Sequence, residues 1–182
     1  MSHLILLTGG VRSGKSAQAE RLLAGSPAVL YIATARCLDG EMARRIEAHR
    51  SRRPAHWVTA EASAALDEVL RAHPEGDVLL DCVTNMVTNL MLDEEPEYEA
   101  LSRARVEEIE AHIEEEIDRL LAGLRQRSGL AVLVTGEVGL GLVAPYRMGR
   151  IFADILGKVN QQLAAQADEA YFMACGFPIR LK

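Results

Sequence analysis

Cysteine is scarce in this chain. Only Cys37, Cys82 and Cys175 occur among 182 residues. They are odd in number, widely spaced and without a C-x-x-C pair, which excludes a disulfide framework and offers no zinc-ligand spacing. They are expected to be reduced, buried and non-catalytic, since free cysteine is most often a small buried hydrophobe. Long apolar runs are lacking too. No stretch approaches the roughly 20 uncharged residues that span a bilayer, and the first apolar run, Leu4 to Leu7, ends in glycines instead of a signal-peptide cleavage site. A cytoplasmic protein with no membrane insertion is expected. Positive charge is in deficit, 20 Lys+Arg against 26 Asp+Glu for a net charge of -6, so the overall field gives no help to nucleic acid binding. Internal repeats and low-complexity tracts are absent as well.

What remains is globular composition, 49% apolar and 25% charged, over a length that suits a single domain spanning residues 1–182. Short apolar runs alternate with segments of helical period, the pattern of an α/β sheet covered by helices. Strands are expected at Leu4 to Thr8, Val29 to Ala33, Val78 to Asp81, Ala131 to Thr135 and Ala170 to Met173. The first four are nearly continuous apolar runs, as in a buried parallel sheet. A weaker strand is expected near Trp57 to Thr59, and the last residues, around Gly176, should close the sheet as a β-hairpin. Helices are expected over Lys15 to Leu23, Glu41 to about Arg52, Ala62 to about Ala72, about Tyr98 to Arg127, and Met148 to about Ala167. In the fourth, Ile109, Ile113, Ile117, Leu120, Leu121 and Leu124 repeat at three and four while acids fill the other positions, so the acidic run is a solvated face.

The strongest chemical signal is Gly9-Gly10-Val11-Arg12-Ser13-Gly14-Lys15-Ser16, which fits G-x-x-x-x-G-K-[ST] between an expected strand and an expected helix. The glycines let backbone N–H groups wrap an anion, and the helix N-terminus adds partial positive charge. Lys15, one of three lysines with Lys158 and Lys182, can reach the β- and γ-phosphates, and the Ser16 hydroxyl can coordinate Mg²⁺. Asp81, ending the run Val78-Leu79-Leu80, supplies the acid expected on the magnesium side.

A second signal is basic. Arg44, Arg45, Arg50, Arg52 and Arg53 fall within ten residues of a chain of negative net charge. On a helix ended by Pro54, Arg45 and Arg52 share a face with His49. Surrounding cations disfavour protonation, leaving the His49 imidazole neutral and able to attack phosphorus, with the arginines stabilising the charge that develops. His3, His56, His73 and His112 have no metal-ligand spacing partner and are expected at the surface or at caps. The single tryptophan, Trp57, is expected in packing. Beyond the strand ending at Thr135 lies a Gly-rich loop, Gly136 to Pro145, on the sheet edge where α/β folds bind ligands. Glu137 is a candidate substrate or water contact there, with Asn160 and Gln161 candidates to line the same cleft.

GGVRSGKS, YIAT from Tyr31, D-x-E-M-x-x-R-I-x-x-H from Asp39 to His49, RPAHW from Arg53, T-x-E from Thr59, DCVTNMVTN from Asp81, GEVGLGLV from Gly136 and NQQLAAQADE from Asn160 occur in order. This set resembles the bifunctional adenosylcobinamide kinase and adenosylcobinamide-phosphate guanylyltransferase family. The resemblance implies a RecA-like P-loop NTPase fold, a homotrimer, and two reactions. In the first, a nucleoside triphosphate, ATP or GTP, phosphorylates the corrinoid adenosylcobinamide with Mg²⁺. In the second, GMP passes from GTP to the resulting phosphate through a guanylyl-histidine. It implies that His49 carries the GMP, with nucleotide contacts from Gly9, Gly10, Val11, Arg12, Ser13, Gly14, Lys15, Ser16, Thr34, Ala35, Arg36, Arg50, Ser51, Arg52, Arg53, Glu61 and Asp81. Two departures fall in the Gly-rich loop: Gly136 stands where the family has Asn, and Pro145 comes one place later than usual.

Two rivals compete with this reading. A simple P-loop small-molecule or nucleoside kinase would use Lys15, Ser16 and Asp81 without His49. A regulatory GTPase-like switch lacks support, because no lysine is preceded by Asn or Thr as a guanine-reading [NT]-K-x-D motif requires.

Overall fold

A computed structural model describes residues 1–37, 40, 44, 47, 50 and 53–182. Its strands are β1 (His3–Thr8), β2 (Val29–Ala33), β3 (Val58–Glu61), β4 (Asp77–Asp81), β5 (Leu130–Val134), β6 (Glu169–Ala174) and β7 (Phe177–Arg180). Between them lie α1 (Lys15–Leu22), α2 (Leu66–Ala72), α3 (Val83–Glu94), α4 (Arg103–Arg125) and α5 (Arg147–Gln166). Among the described residues, seven strands form one sheet in the order β3-β2-β4-β5-β1-β6-β7. All neighbours pair parallel except β6 and β7, whose antiparallel hairpin closes the sheet as expected.

The pleat sorts the apolar runs onto two faces. Leu4, Leu6, Leu30, Ile32, Val78, Leu80, Ala131 and Leu133 pack in one cluster with α2, α3, α4 and α5. The intervening Ile5, Leu7, Val29, Tyr31, Leu79, Val132 and Val134 pack in a second with Ala19 and Leu23 of the α1 segment and with Trp57. Both faces are therefore covered, which is why these strands read as continuous apolar runs.

Helix α3 is not among the helices expected from the sequence. Val83, Met86, Val87, Leu90 and Met91 fall on one buried stripe, each full burial contributing about 1.5–3 kcal/mol. Thr84, Asn85, Thr88 and Asn89 between them are weak helix formers, so tertiary burial overrides local propensity. Helix α4 starts later than expected, at a Ser102 cap whose Oγ accepts from the Arg105 N–H at 3.1 Å. The preceding Tyr98 is buried and donates to the Met91 carbonyl at 2.7 Å. Gly40, Arg44, Glu47 and Arg50 have helical backbone. The other residues of the expected Glu41 to Arg52 helix, Arg45, His49, Ser51 and Arg52 among them, lie outside the described residues. The expectation of buried cysteines fails at two positions: Cys37, in the loop after β2, and Cys175 are exposed. Cys175 occupies the β6–β7 turn with φ 51°, where the chain reverses at the sheet edge.

Candidate active site

The carboxyl ends of β1, β2, β4 and β5 lie side by side, since Ala33 is in register with Asp81, Asp81 with Val134, and Val134 with Leu7. The chain leaves β1 into the glycine loop. Gly9 has φ 145°, and a Cβ there would come within 2.6 Å of the Met173 carbonyl oxygen. Gly14 has φ 97°, and its Cβ would meet Gly176 Cα at 3.1 Å. Both positions need glycine for conformation and for close approach. The Gly176 N–H donates to the Ser13 carbonyl at 3.0 Å, so the hairpin turn braces the loop. Among the described residues no side chain caps the N-terminus of α1, which leaves that helix end to an anion.

Lys15 Nζ donates to the carbonyls of Gly9 at 2.8 Å and Gly10 at 2.7 Å. Burial lowers its pKa, with Cys82 and the Asp81 carboxylate opposing that shift. Ser16 Oγ donates to Asp81 Oδ1 at 3.2 Å. The strand β1–loop–helix unit and the end of β4 thus bring Lys15, Ser16 and Asp81 together as the sequence leads one to expect. A hydroxyl and a carboxylate at that separation are the hard oxygen donors that suit Mg²⁺. Among the described residues there is no cluster of three or more His, Cys, Asp or Glu able to hold a metal alone. Burial, reinforced by Asp81, pushes the Cys82 thiol up to about 11, so it is a poor nucleophile at neutral pH.

Thr34, Arg36 and Arg53 are committed to protein contacts. Thr34 is buried, and its Oγ1 donates to the Cys82 carbonyl at 2.7 Å and accepts from the Cys82 N–H at 2.9 Å. Asn89 Nδ2 donates to the Thr34 carbonyl at 2.7 Å, tying α3 to the end of β2. Arg36 makes a two-pronged bridge to Asp93, both contacts at 2.6 Å, and also reaches Ser63 Oγ at 3.0 Å. Ala35 between them is half-buried, and Arg50 and Glu61 are exposed, Glu61 at the end of edge strand β3. Arg53 lies over the Tyr31 ring, 3.5 Å from its centroid, and donates to Thr59 Oγ1 at 3.3 Å.

The Gly-rich loop is anchored at its base. The Gly136 N–H donates to Thr84 Oγ1 at 2.5 Å, and its carbonyl accepts from Asn160 Nδ2 at 3.0 Å. Thr135 Oγ1 donates to Asn160 Oδ1 at 2.7 Å, and the Glu137 N–H donates to the Gly9 carbonyl at 3.0 Å. Main-chain groups therefore link residue 136 to α3 and α5, and a Cβ there would stand 2.9 Å from Thr84 Oγ1, so glycine suits this close approach. Glu137 turns its carboxylate onto the Gly139 N–H at 2.7 Å. Beyond it Leu140, Leu142, Val143 and Tyr146 are exposed, while Arg150 donates to the carbonyls of Ala144 and Pro145. Asn160 thus reaches the site edge but Gln161 does not. One residue further round the helix, Gln161 lines a surface groove with Val106, Glu110 and Lys158.

Sequence reasoning missed Tyr31 as a site residue. Its hydroxyl donates to Asp81 Oδ2 at 2.6 Å, and its pKa is raised by burial and then by that carboxylate. The available signal was a tyrosine inside the otherwise aliphatic run of β2.

Residues 5–181 match the family model described as cobinamide kinase / cobinamide phosphate guanyltransferase. The chain belongs to this family. Two relatives called bifunctional adenosylcobalamin biosynthesis protein CobU, from Salmonella typhimurium and Escherichia coli, are 46% and 47% identical, each over 98% of this chain and 99% of its own length. Among solved structures, an ATPase from the type III secretion system of pathogenic bacteria superposes with a TM-score of 0.54 at 13% identity, over 93% of this chain and 50% of that one. That likeness concerns the fold, an α/β P-loop architecture. The family read from the ordered motifs is thus the family found, and its enzymes use nucleoside triphosphates. No helix among the described residues is long and apolar enough to cross a membrane.

Proposed function

We propose that this enzyme phosphorylates adenosylcobinamide with ATP or GTP and then transfers GMP from GTP to the product phosphate by way of His49. The observation that carries the reading is the approach of Ser16 to Asp81, 3.2 Å apart beside the Lys15 ammonium, at the open end of α1. In the first reaction the corrinoid hydroxyl oxygen bonds to the γ-phosphorus, the bond to the β-γ bridging oxygen breaks, and the hydroxyl proton leaves to solvent or base. Lys15 exchanges its two carbonyl bonds for phosphate oxygens, and the loop N–H groups orient the same oxygens. Ser16 and Asp81 would hold Mg²⁺, which when bound neutralises charge on the phosphates.

In the second reaction a ring nitrogen of His49 bonds to the α-phosphorus of GTP as pyrophosphate leaves. The corrinoid phosphate oxygen then displaces the histidine. His49, Arg45, Ser51 and Arg52 lie outside the described residues, so their roles rest on the charge pattern and the family motif. The same motif supports nucleotide contacts from Gly9 to Ser16, Thr34 to Arg36, Arg50 to Arg53, Glu61 and Asp81. At Thr34 the side chain and both main-chain groups already have protein partners, and the Arg36 guanidinium is bridged to Asp93, so a nucleotide reaching this segment would have to exchange one of these contacts. A homotrimer of single-domain subunits in the cytoplasm completes the proposal.

The test uses α-labelled GTP. Wild-type protein should retain acid-labile, base-stable label after denaturation and transfer it to cobinamide phosphate. His49→Ala should lose both while keeping a larger share of kinase activity, since γ-transfer depends on Lys15, Ser16 and charge. Full labelling of His49→Ala would overturn His49 as the carrier, and a wild-type protein that takes up no label would leave a simple P-loop kinase.

A further inference from the structure

We infer that Tyr31 is a positioning residue for Asp81, one that joins the magnesium side of the site to the arginine segment. The inference rests on the reading of Asp81 as the magnesium-side acid. On the shared sheet face Tyr31 is in register with Leu79, two residues before Asp81 on the neighbouring strand. That diagonal is within reach of a long aromatic side chain, and the hydroxyl lies 2.6 Å from Asp81 Oδ2. The other buried strand positions of this cluster, Ile5, Leu7, Val29, Leu79, Val132 and Val134, are aliphatic. A hydroxyl at 1% exposure among them is costly unless it has a partner. Asp81 is that partner, and the contact has the length of a charge-assisted bond.

An aspartate carboxylate turns freely about its last torsion. Here Tyr31 takes Oδ2 while Ser16 donates to Oδ1, so the plane of the carboxylate is set from both sides. The tyrosine is a stiff anchor, since its ring lies 6.3 Å from that of Trp57 and carries the Arg53 guanidinium at 3.5 Å. Its hydroxyl thus serves Asp81 while its ring serves Arg53, one of the cations assigned above to nucleotide.

The experiment measures binding of a fluorescent, non-hydrolysable GTP analogue with Mg²⁺ and with EDTA, and compares the two Kd values. Tyr31→Phe keeps the ring. It should reduce the Mg²⁺-dependent tightening about tenfold and leave the EDTA value within about twofold. Tyr31→Leu removes the ring as well and should weaken the EDTA value by a further factor of about three, the worth of a lost cation–π contact. Melting temperatures establish that each variant is folded. Asp81→Asn should lose the tightening, and Tyr31→Phe added to Asp81→Asn should change nothing more. That double variant lacks the unpaired carboxylate, so it reports even where the single variant does not fold. If Asp81→Asn loses the tightening while Tyr31→Phe keeps it, or if the two losses multiply, the inference is overturned. If Asp81→Asn itself binds Mg²⁺-nucleotide normally, the metal reading of Asp81 fails and the inference with it.

Discussion

At the N-terminal edge of the sheet, Arg127 is buried and its guanidinium donates to four main-chain carbonyls, those of Leu70, His73, Glu75 and Gly76. It finishes α2 and fixes the turn into β4. Asp77 beside it accepts from Ser26 Oγ at 2.5 Å and from the Leu130 N–H at 2.7 Å, and Asp168 accepts from the Leu4 N–H at 2.7 Å. At the C-terminal edge, Lys15 also donates to carbonyls, but only two, both in a glycine loop. The first edge ties ionic side chains into fixed backbone. At the second, the cation holds bonds that a phosphate can replace. One sheet thus assigns stability to one end and ligand exchange to the other.

The sharpest way to break this comparison is Lys15→Ala. It should cut phosphoryl transfer by a factor on the order of 10² or more while leaving the melting temperature near that of wild type, since the Gly176 and Glu137 main-chain bonds brace the loop without it. A large loss of stability would mean that the two edges are built alike. Arg127→Met is the mirror experiment. It leaves four carbonyls without their donor and should cost about 2 kcal/mol in chemical denaturation, with kcat of the folded fraction unchanged. A changed kcat at full folding would couple the edges.

The smallest effect is expected for Arg36→Ala. The Arg36 bridge holds the Asp93 carboxyl below the usual aspartate range, so its stabilisation is present above the unfolded aspartate pKa and is lost as pH falls through the folded value. Both groups are largely exposed, so the loss at neutral pH should be under about 1 kcal/mol and should shrink in high salt. Melting curves of Arg36→Ala and wild type should converge at acid pH. If nucleotide Kd also changes little, the Arg36 guanidinium makes no contribution to the contact expected from Thr34 to Arg36.

How much of this was legible in the sequence depended on distance along the chain. The glycine loop, Lys15 and Ser16 form one local motif, and Asp81 closes a run of strand residues, so both could be read directly. The strands on β1, β2, β4 and β5 were legible because burial on two faces leaves no polar alternation to obscure them. Helix α3 was hidden by threonines and asparagines that turn out to tie other elements together, Thr84 to Gly136 and Asn89 to Thr34. Tyr31 was not legible as a site residue because its partner lies fifty positions away, and only the strand register joins them. The cysteines were misjudged for a related reason: Cys175 looks apolar in composition but sits at a reversal of the chain.

Trp57, the single tryptophan of the chain, is buried against Tyr31, whose other neighbours are Arg53 and Asp81. Indole emission responds to nearby charge and to the rigidity of its surroundings. The molecule therefore contains a built-in optical probe at the junction of its two half-sites, free of background from any second indole. Stopped-flow fluorescence of unlabelled protein can test the nucleotide binding proposed for the arginine segment and time it separately from turnover.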